Sequence, residues 1–396
     1  MKGVECLIFW RECGIIVGRM KKEGGAMKKW ALGLVVCFVA GAFASFGCQP
    51  QSDIIDVYLP DGAPALALAL PMYEDAADDG VEYHVVSATT LHTFATGKNP
   101  DAEVCVMPVN AAAKLLGDAS AYQMAGVLTH GNLYLLAKED TAYTRENISD
   151  LVGKTIGVLQ LNNVPGLTLK ACLNGLSIPY TDLTAGDEYS GEAVNLRAVP
   201  TSPMTMTGAD LYLLPSPEAD WRVDSGEWKF VGDLQALYGD GTGYPQAVIV
   251  VKKEVLEKRG DWVRSFLAKI DEGAAWLQSA EKSVIASAVQ AHLTKGLTPK
   301  FTAENLTDGA IARSGICMQR IDGGAVAEVK AFLQELLAVD GSFAAMPSDG
   351  FFWLAVSNQV EPGFDGENPQ NCAGFPLAIR TVFLPVNPFI LGCFRT

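Results

Sequence analysis

The feature that most restricts what this 396-residue chain can fold into is an alternation of strand-like runs and helical segments. It holds from Asp53 to Trp353, with only short loops between the pieces. "DIIDVYLP" (Asp53–Pro60) is a β-rich run stopped by a proline. "DGAP" then turns the chain into "ALALALPMYEDAAD", with Pro64 near the first helical turn, where its missing N–H costs little. "EYHVVS" (Glu82–Ser87) and "TTLHTFATG" repeat the unit, as do "AEVCVMP" (Ala102–Pro108) and "NAAAKLL", where Asn110 is suited to cap a helix. This rhythm predicts an α/β fold built on parallel strands.

A second block follows the first. "YQMAGVLTHGNLYLLAKED" (Tyr122–Asp140) reads as two strands around a His-Gly-Asn turn. "ENISDLVGKTIGVLQ" supplies a short helix and a strand, "LNNVPG" a loop, and "LTLKACLNGL" a helix. "AVNLRAVP" and "ADLYLLPS" are further strands, and "GYPQAVIVVKKEVL" (Gly243–Leu256) returns to a buried one. Helical spacing puts Val263, Phe266, Leu267, Ile270, Ala274 and Leu277 on one face of the segment Asp261–Ala280. "IASAVQAHL" and "GGAVAEVKAFLQELLAVD" continue as amphipathic helices. The expectation is therefore two lobes, the first discontinuous over 53–140 and 246–353, the second over 141–245. Crossings near Ala137–Tyr143 and Gly243–Ala247 would form a hinge, with a cleft between the lobes. "EWK" (Glu227–Lys229) is expected on a solvated strand.

The two ends have a different character. Residues 27–47 carry Lys28 and Lys29 ahead of an uncharged run, Trp30–Phe46. That run is shorter than the roughly 20 residues a spanning helix needs, and it matches a secretory signal peptide. "SFGC" (Ser45–Cys48) resembles a bacterial lipobox, with Cys48 as the lipidated residue and 48–52 as a polar tether. Ser45 and Phe46 depart from the usual pattern, and cleavage after Ala44 in "AFA" is the alternative. Residues 1–26 read as a mis-called extension, because "KEGGAM" (Lys22–Met27) can be encoded by a purine-rich ribosome-binding stretch before the Met27 codon. Residues 354–396, rich in Pro, Gly and Asn without helical period, read as an atypical C-terminal extension.

Charge and residue usage exclude several classes. The formal net charge is −15, and the leader holds an excess of Lys and Arg, so the remainder is more acidic still. Such a surface repels nucleic acid. Nothing after Cys48 is long and apolar enough to span a membrane. The nine cysteines show no CxxC pair, which argues against a disulfide framework. Cys105 and Cys172 read as small buried hydrophobes. His84, His92, His130 and His292 share no metal-ligand spacing, so neither a metal site nor a catalytic histidine is expected. No catalytic residue and no cofactor is assigned, and the chain has no GxxxxGK[ST] phosphate loop.

Taken in order, "VYLPDGAPALALA", "MPVNAAAKL", "HGNLYLLAKE", "ISDLVGKTIGV", "NNVPGLTLKACL", "ADLYLLPSPEA" and "PQAVIVVKKEVLEKRGDWVRSFLAKIDEGAAWL" resemble the ABC-transporter solute-binding lipoproteins. The branch is the one that binds nitrate, sulfonates, taurine and thiamine precursors, and the resemblance covers 53–353. It implies a bilobed fold, periplasmic-binding-protein-like of type II. It also implies an exported, lipid-anchored monomer that carries a small solute to an ABC permease and its ATPase subunit. An enzyme on the same fold, related to thiamine-pyrimidine synthesis, and a sensor or adhesion lipoprotein are the alternatives.

In open α/β sheets ligands bind beyond the carboxyl ends of the strands. The candidate ligand-binding residues follow from that rule: Asp61, Gly62, Ala63, Pro64, Ser87 and Asn110 in the first lobe, and Asn162, Asn163, Pro165, Gly166, Thr168, Pro215 and Glu218 in the second. Asn132 and Tyr244 stand near the crossings. These loops hold Asp61 and Glu218 but no Lys or Arg, which favours a neutral or weakly cationic solute, heterocyclic in kind.

Overall fold

A computed structural model describes residues 54–75, 80–117, 121–199 and 207–354. Residues 1–53, where the signal peptide and lipidation at Cys48 are expected, and residues 355–396 lie outside the described residues. The chain enters β1 (Ile55–Pro60), in which Ile55, Val57 and Leu59 are buried. Asp61 and Gly62 turn it into α1 (Ala63–Ala67) and α2 (Ala69–Glu74); Gly62 has φ 102°, a conformation that favours glycine. Next come β2 (Val81–Val86), α3 (His92–Ala95), β3 (Val104–Pro108), α4 (Val109–Leu116) and β4 (Tyr122–His130). The second block holds β5 (Leu133–Ala137), β6 (Thr155–Leu159), α5 (Val164–Gly175), β7 (Tyr180–Leu183) and β8 (Val194–Val199). It closes with β9 (Leu211–Pro215), α6 (Glu218–Asp224), β10 (Lys229–Asp233) and α7 (Leu234–Leu237). The return comprises β11 (Pro245–Lys252), α8 (Lys253–Lys258), α9 (Gly260–Ser279), α10 (Lys282–Gln290), α11 (Asp308–Arg313), β12 (Ile316–Arg320) and α12 (Gly323–Val339).

The strands form two six-stranded sheets, ordered β12-β4-β11-β3-β1-β2 and β10-β5-β9-β6-β8-β7. β3, β1 and β2 run parallel in the first, and β9, β6, β8 and β7 in the second. Although β4 and β5 flank a tight turn, they belong to different sheets. β4 pairs with β11, whereas β5 pairs antiparallel with β9 from Leu133↔Pro215 to Ala137↔Leu211. The chain therefore first crosses at Gly131 and Asn132, not near Ala137–Tyr143, and the first lobe's opening segment ends at His130 rather than at residue 140. The return crossing occupies residues 238–244, ahead of β11.

Burial explains how the layers hold together. On α9, Val263, Phe266, Leu267, Ile270 and Leu277 are buried at the expected spacing, with Gly273 close against α1 and α2. Five such side chains contribute about 10 kcal/mol of transfer free energy before ordering entropy is subtracted. They join Val57, Leu66 and Ile249 on one face of the first sheet. The opposite face carries a core that continues into the second lobe, through Met107, Leu135, Ile156, Leu173 and Phe332. Helix α12 packs on α5 of one lobe and on α4 and β11 of the other, so the joint is broader than two extended crossings. Trp228 is buried edge-on against Tyr212 at 5.3 Å, a correction to its expected place on a solvated strand. Cys105 and Cys172 are free and buried, and burial pushes both thiols up to about 12. Cys317 in β12 is disulfide-bonded, which the scattered spacing had not suggested.

The first crossing is braced by Gly315, just before β12. Its carbonyl accepts the His130 N–H at 2.8 Å, its φ is +62°, and a Cβ there would stand 1.8 Å from the Gly131 carbonyl oxygen. Gly315→Ala is expected to destabilise the protein by roughly 2–3 kcal/mol, the scale of overpacking combined with backbone strain. Urea unfolding should show a lower midpoint at unchanged slope; an unmoved midpoint would mean the crossing tolerates a side chain and is looser than described.

Candidate functional site

The carboxyl ends of β1, β2 and β3 in the first sheet and of β6 and β9 in the second border one cavity of 380 Å³. β1 contributes Pro60 and the turn that follows it, β2 contributes Ser87, and β3 contributes Pro108. From the second lobe come Leu159 and Gln160 after β6, Val164 and Pro165 at the start of α5, and the Pro215–Glu218 segment after β9. Asn132 at the crossing, Gln246 in β11, and Leu297, Thr298 and Lys300 in the loop between α10 and α11 complete the lining. Pro60, Pro108 and Pro215 each end a strand on the rim, and Pro64 and Pro165 stand in the first turns of α1 and α5, places where a missing N–H costs little.

Nine of the sequence-derived candidates meet here: Asp61, Gly62, Ala63, Pro64, Ser87, Asn132, Pro165, Pro215 and Glu218. Six do not line the cavity. Asn110 is the second residue of α4 rather than its cap, and its Nδ2 donates to the Phe343 carbonyl at 2.9 Å. Asn163 caps α5 by accepting the Val164 N–H at 2.9 Å, and Asn162 is exposed beside it. Gly166 is a packing residue: a Cβ there would stand 1.9 Å from the Leu161 carbonyl oxygen. Thr168 is wholly buried, because α5 is enclosed on nearly all sides. Tyr244 is also core. It stacks on Phe332 at 5.3 Å and donates to Gln235 Oε1 at 3.0 Å.

Two groups that matter were not visible as strand-end residues. Lys300 reaches from the first lobe to Glu218 Oε2 at 2.9 Å, while its own backbone N–H donates to Asp61 Oδ2 at 2.6 Å. Gln246 donates through Nε2 to Asn132 Oδ1 at 2.6 Å. Desolvation raises the Asp61 carboxyl above its ordinary range, even though the N–H groups of Lys300 and Gly62 pull the other way. A second ion pair joins the lobes on the same seam. Arg313 of α11 donates through Nε to Asp220 Oδ1 at 2.7 Å, and the same carboxylate accepts Ser216 Oγ–H at 2.5 Å. The guanidinium also lies over the Phe230 ring, 4.5 Å from its centroid. Away from the cleft, the pairing of β1 and β2 brings Asp56, Glu82 and His84 together, and His84 Nε2 stands 2.7 Å from Asp56 Oδ1. Cross-strand register, not sequence spacing, makes that cluster.

Three solved structures share this architecture. An ABC transporter protein from Parabacteroides distasonis superposes with a TM-score of 0.53 at 14% identity, covering 76% of this chain and 99% of that one. The periplasmic aliphatic sulphonate binding protein SsuA of Escherichia coli gives 0.52 at 12% identity, covering 80% and 98%. The alkanesulfonate-binding SsuA of Xanthomonas axonopodis pv. citri, bound to MOPS, gives 0.50 at 11%, covering 76% and 98%. The fold is that of a periplasmic binding protein. No protein-family model matches the chain, and no curated protein matches it in sequence. Among the described residues, no helix is long and apolar enough to cross a membrane.

The Arg313–Asp220 pair joins the two lobes across the seam. Asp220 is 1% exposed. Arg313→Met leaves its carboxylate buried without a cation and should destabilise by roughly 3 kcal/mol. The Arg313→Met/Asp220→Asn double variant should recover most of the loss in a double-mutant cycle read by chemical unfolding. Additive losses would show that the two groups are not coupled across the seam.

Proposed function

We propose that this chain is the extracytoplasmic solute-binding component of an ABC importer. It captures a small organic solute between its lobes and delivers it to a membrane permease worked by a separate ATPase. The observation that carries this reading is the cleft: a 380 Å³ cavity bordered by strand ends of both lobes and spanned by the Glu218–Lys300 pair, which must give way to admit a ligand. That volume suits a small molecule. In this reading the leader exports the chain, and Cys48 carries the lipid that holds it at the outer face of the cell membrane. With cleavage after Ala44 instead, the protein would be free in the periplasm. It works as a monomer, without cofactor or metal.

The charge of the lining supports a neutral or weakly cationic solute. Asp61 and Glu218 stand against the ammonium of Lys300, which leaves an excess of one negative charge among the described lining residues. The described lining residues include no His or Cys, and the Ser216 hydroxyl and Lys300 ammonium are tied to the carboxylates of Asp220 and Glu218, which leaves neither poised as a nucleophile. Reversible binding is therefore favoured over the enzyme reading.

A thermal-unfolding screen of small solutes, followed by X-ray scattering on each hit, tests the proposal. A true ligand at a hundred times its Kd adds about 2.7 kcal/mol, which for a chain of this size raises Tm by about 4 °C. The same ligand should alter the scattering profile as the lobes change their separation. An unmoved Tm across a broad panel, with one invariant profile, would count against any solute-binding role. Turnover of a solute without its retention would favour the enzyme.

A further inference from the structure

Building on the solute-binding reading, we propose that the cleft selects its solute through N–H donors on a positively charged group, an ammonium, amidinium or guanidinium. The groups that read it are Gln246 Oε1 and the carboxylates of Glu218 and Asp61. The argument begins at the first crossing. The Ser216 N–H donates to the Asn132 carbonyl at 2.9 Å, and Asn132 Nδ2 donates to the Ser216 carbonyl at 2.9 Å. A carbonyl only accepts, so this second bond fixes which way the Asn132 amide points. Its Oδ1 is left to receive Gln246 Nε2, at 2.6 Å. The direction of donation is thus handed from Ser216 in one lobe, through Asn132, to Gln246 in the other. Gln246 lines the cavity and is left with Oε1, which is buried and has no partner among the described residues.

The neighbouring groups ask for the same chemistry. Glu218 is 3% exposed, and its cation, Lys300, arrives from the opposite lobe. Asp61 accepts the N–H groups of Gly62 at 2.7 Å and Lys300 at 2.6 Å, and still adds negative charge to the cavity. An anionic solute would meet two carboxylates and the unpaired Gln246 amide oxygen. The one cation among the described lining residues, Lys300, is already paired with Glu218, and only neutral donors such as Ser87 and Thr298 remain. A quaternary ammonium would satisfy the charge but leave Gln246 Oε1 desolvated and unpaired. A cation bearing N–H groups answers both demands at once, replacing Lys300 on Glu218 while donating to Gln246.

Three probes of similar size separate these cases: benzamidinium, N,N,N-trimethylanilinium and benzenesulfonate, each titrated calorimetrically into the full chain. Benzamidinium is expected to bind at least about tenfold more tightly than trimethylanilinium, with no measurable heat from benzenesulfonate. Gln246→Leu, which removes the acceptor, should abolish the preference between the two cations. Gln246→Glu keeps an acceptor and should retain benzamidinium binding, a split that a purely structural role for Gln246 would not produce. Glu218→Gln should weaken both cations. Tm of each unliganded variant reports that it is folded. Equal or tighter binding of trimethylanilinium, binding of benzenesulfonate, or no binding of benzamidinium overturns this inference. Tight benzenesulfonate binding would do so while leaving the solute-binding role intact.

Discussion

Two carboxylates at the start of one short helix set the relation between the lobes. Glu218 and Asp220 on α6 are almost fully buried, and a buried carboxylate is tolerated only when a cation or a set of donors accompanies it. The second lobe supplies Ser216 to Asp220. The cations come from the first lobe: Lys300 from the loop before α11, and Arg313 from α11 itself. Separating the lobes hydrates all four charges and costs little Coulomb energy in water, whereas bringing them together removes the charges from solvent and makes their pairing matter. These pairs favour a defined closed geometry more than they favour closure itself. The apolar face of α12 and the core that runs from Met107 to Leu173 supply the adhesion.

That division of labour explains what could be read in the sequence. The βα rhythm was legible because parallel strands are buried on both faces and leave unbroken apolar runs such as "VCVMP" and "LYLLP". The amphipathic face of α9 was legible for the complementary reason. The first crossing was misplaced because a strand, a Gly-containing turn and another strand carry one signal whether the strands pair or diverge. Only pairing partners distant in sequence, β11 for β4 and β9 for β5, distinguish the two. The rule that ligands sit beyond strand ends found the cleft's rim from both lobes. It also drew in Thr168 and Tyr244, whose fate depends on what packs over them: the layers enclosing α5 in one case and Phe332 in the other.

Lys300 shows where local reading stops. It sits in a loop after α10, far in sequence from every strand end that borders the cavity, and enters because its backbone N–H is tied to Asp61. Its presence removes the premise that the cleft holds no cation, and the preference for a neutral or weakly cationic solute then rests on what that cation already binds. An ammonium already committed to Glu218 is not free to neutralise an incoming anion without stranding that carboxylate.

The fold alone does not choose between ligands of opposite charge. The SsuA neighbours named for sulfonates show that this architecture serves anions, and at 11–12% identity their cleft chemistry does not transfer to this one. What decides is the balance of donors and acceptors left after the protein's internal bonds are made. Here three main-chain N–H groups beside the cavity are spent inward, those of Gly62 and Lys300 on Asp61 and that of Ser216 on Asn132. An anion site needs those groups turned outward. With these three turned inward and the Gln246 amide oxygen unpaired, a ligand that brings its own N–H donors is the one whose arrival pairs that oxygen.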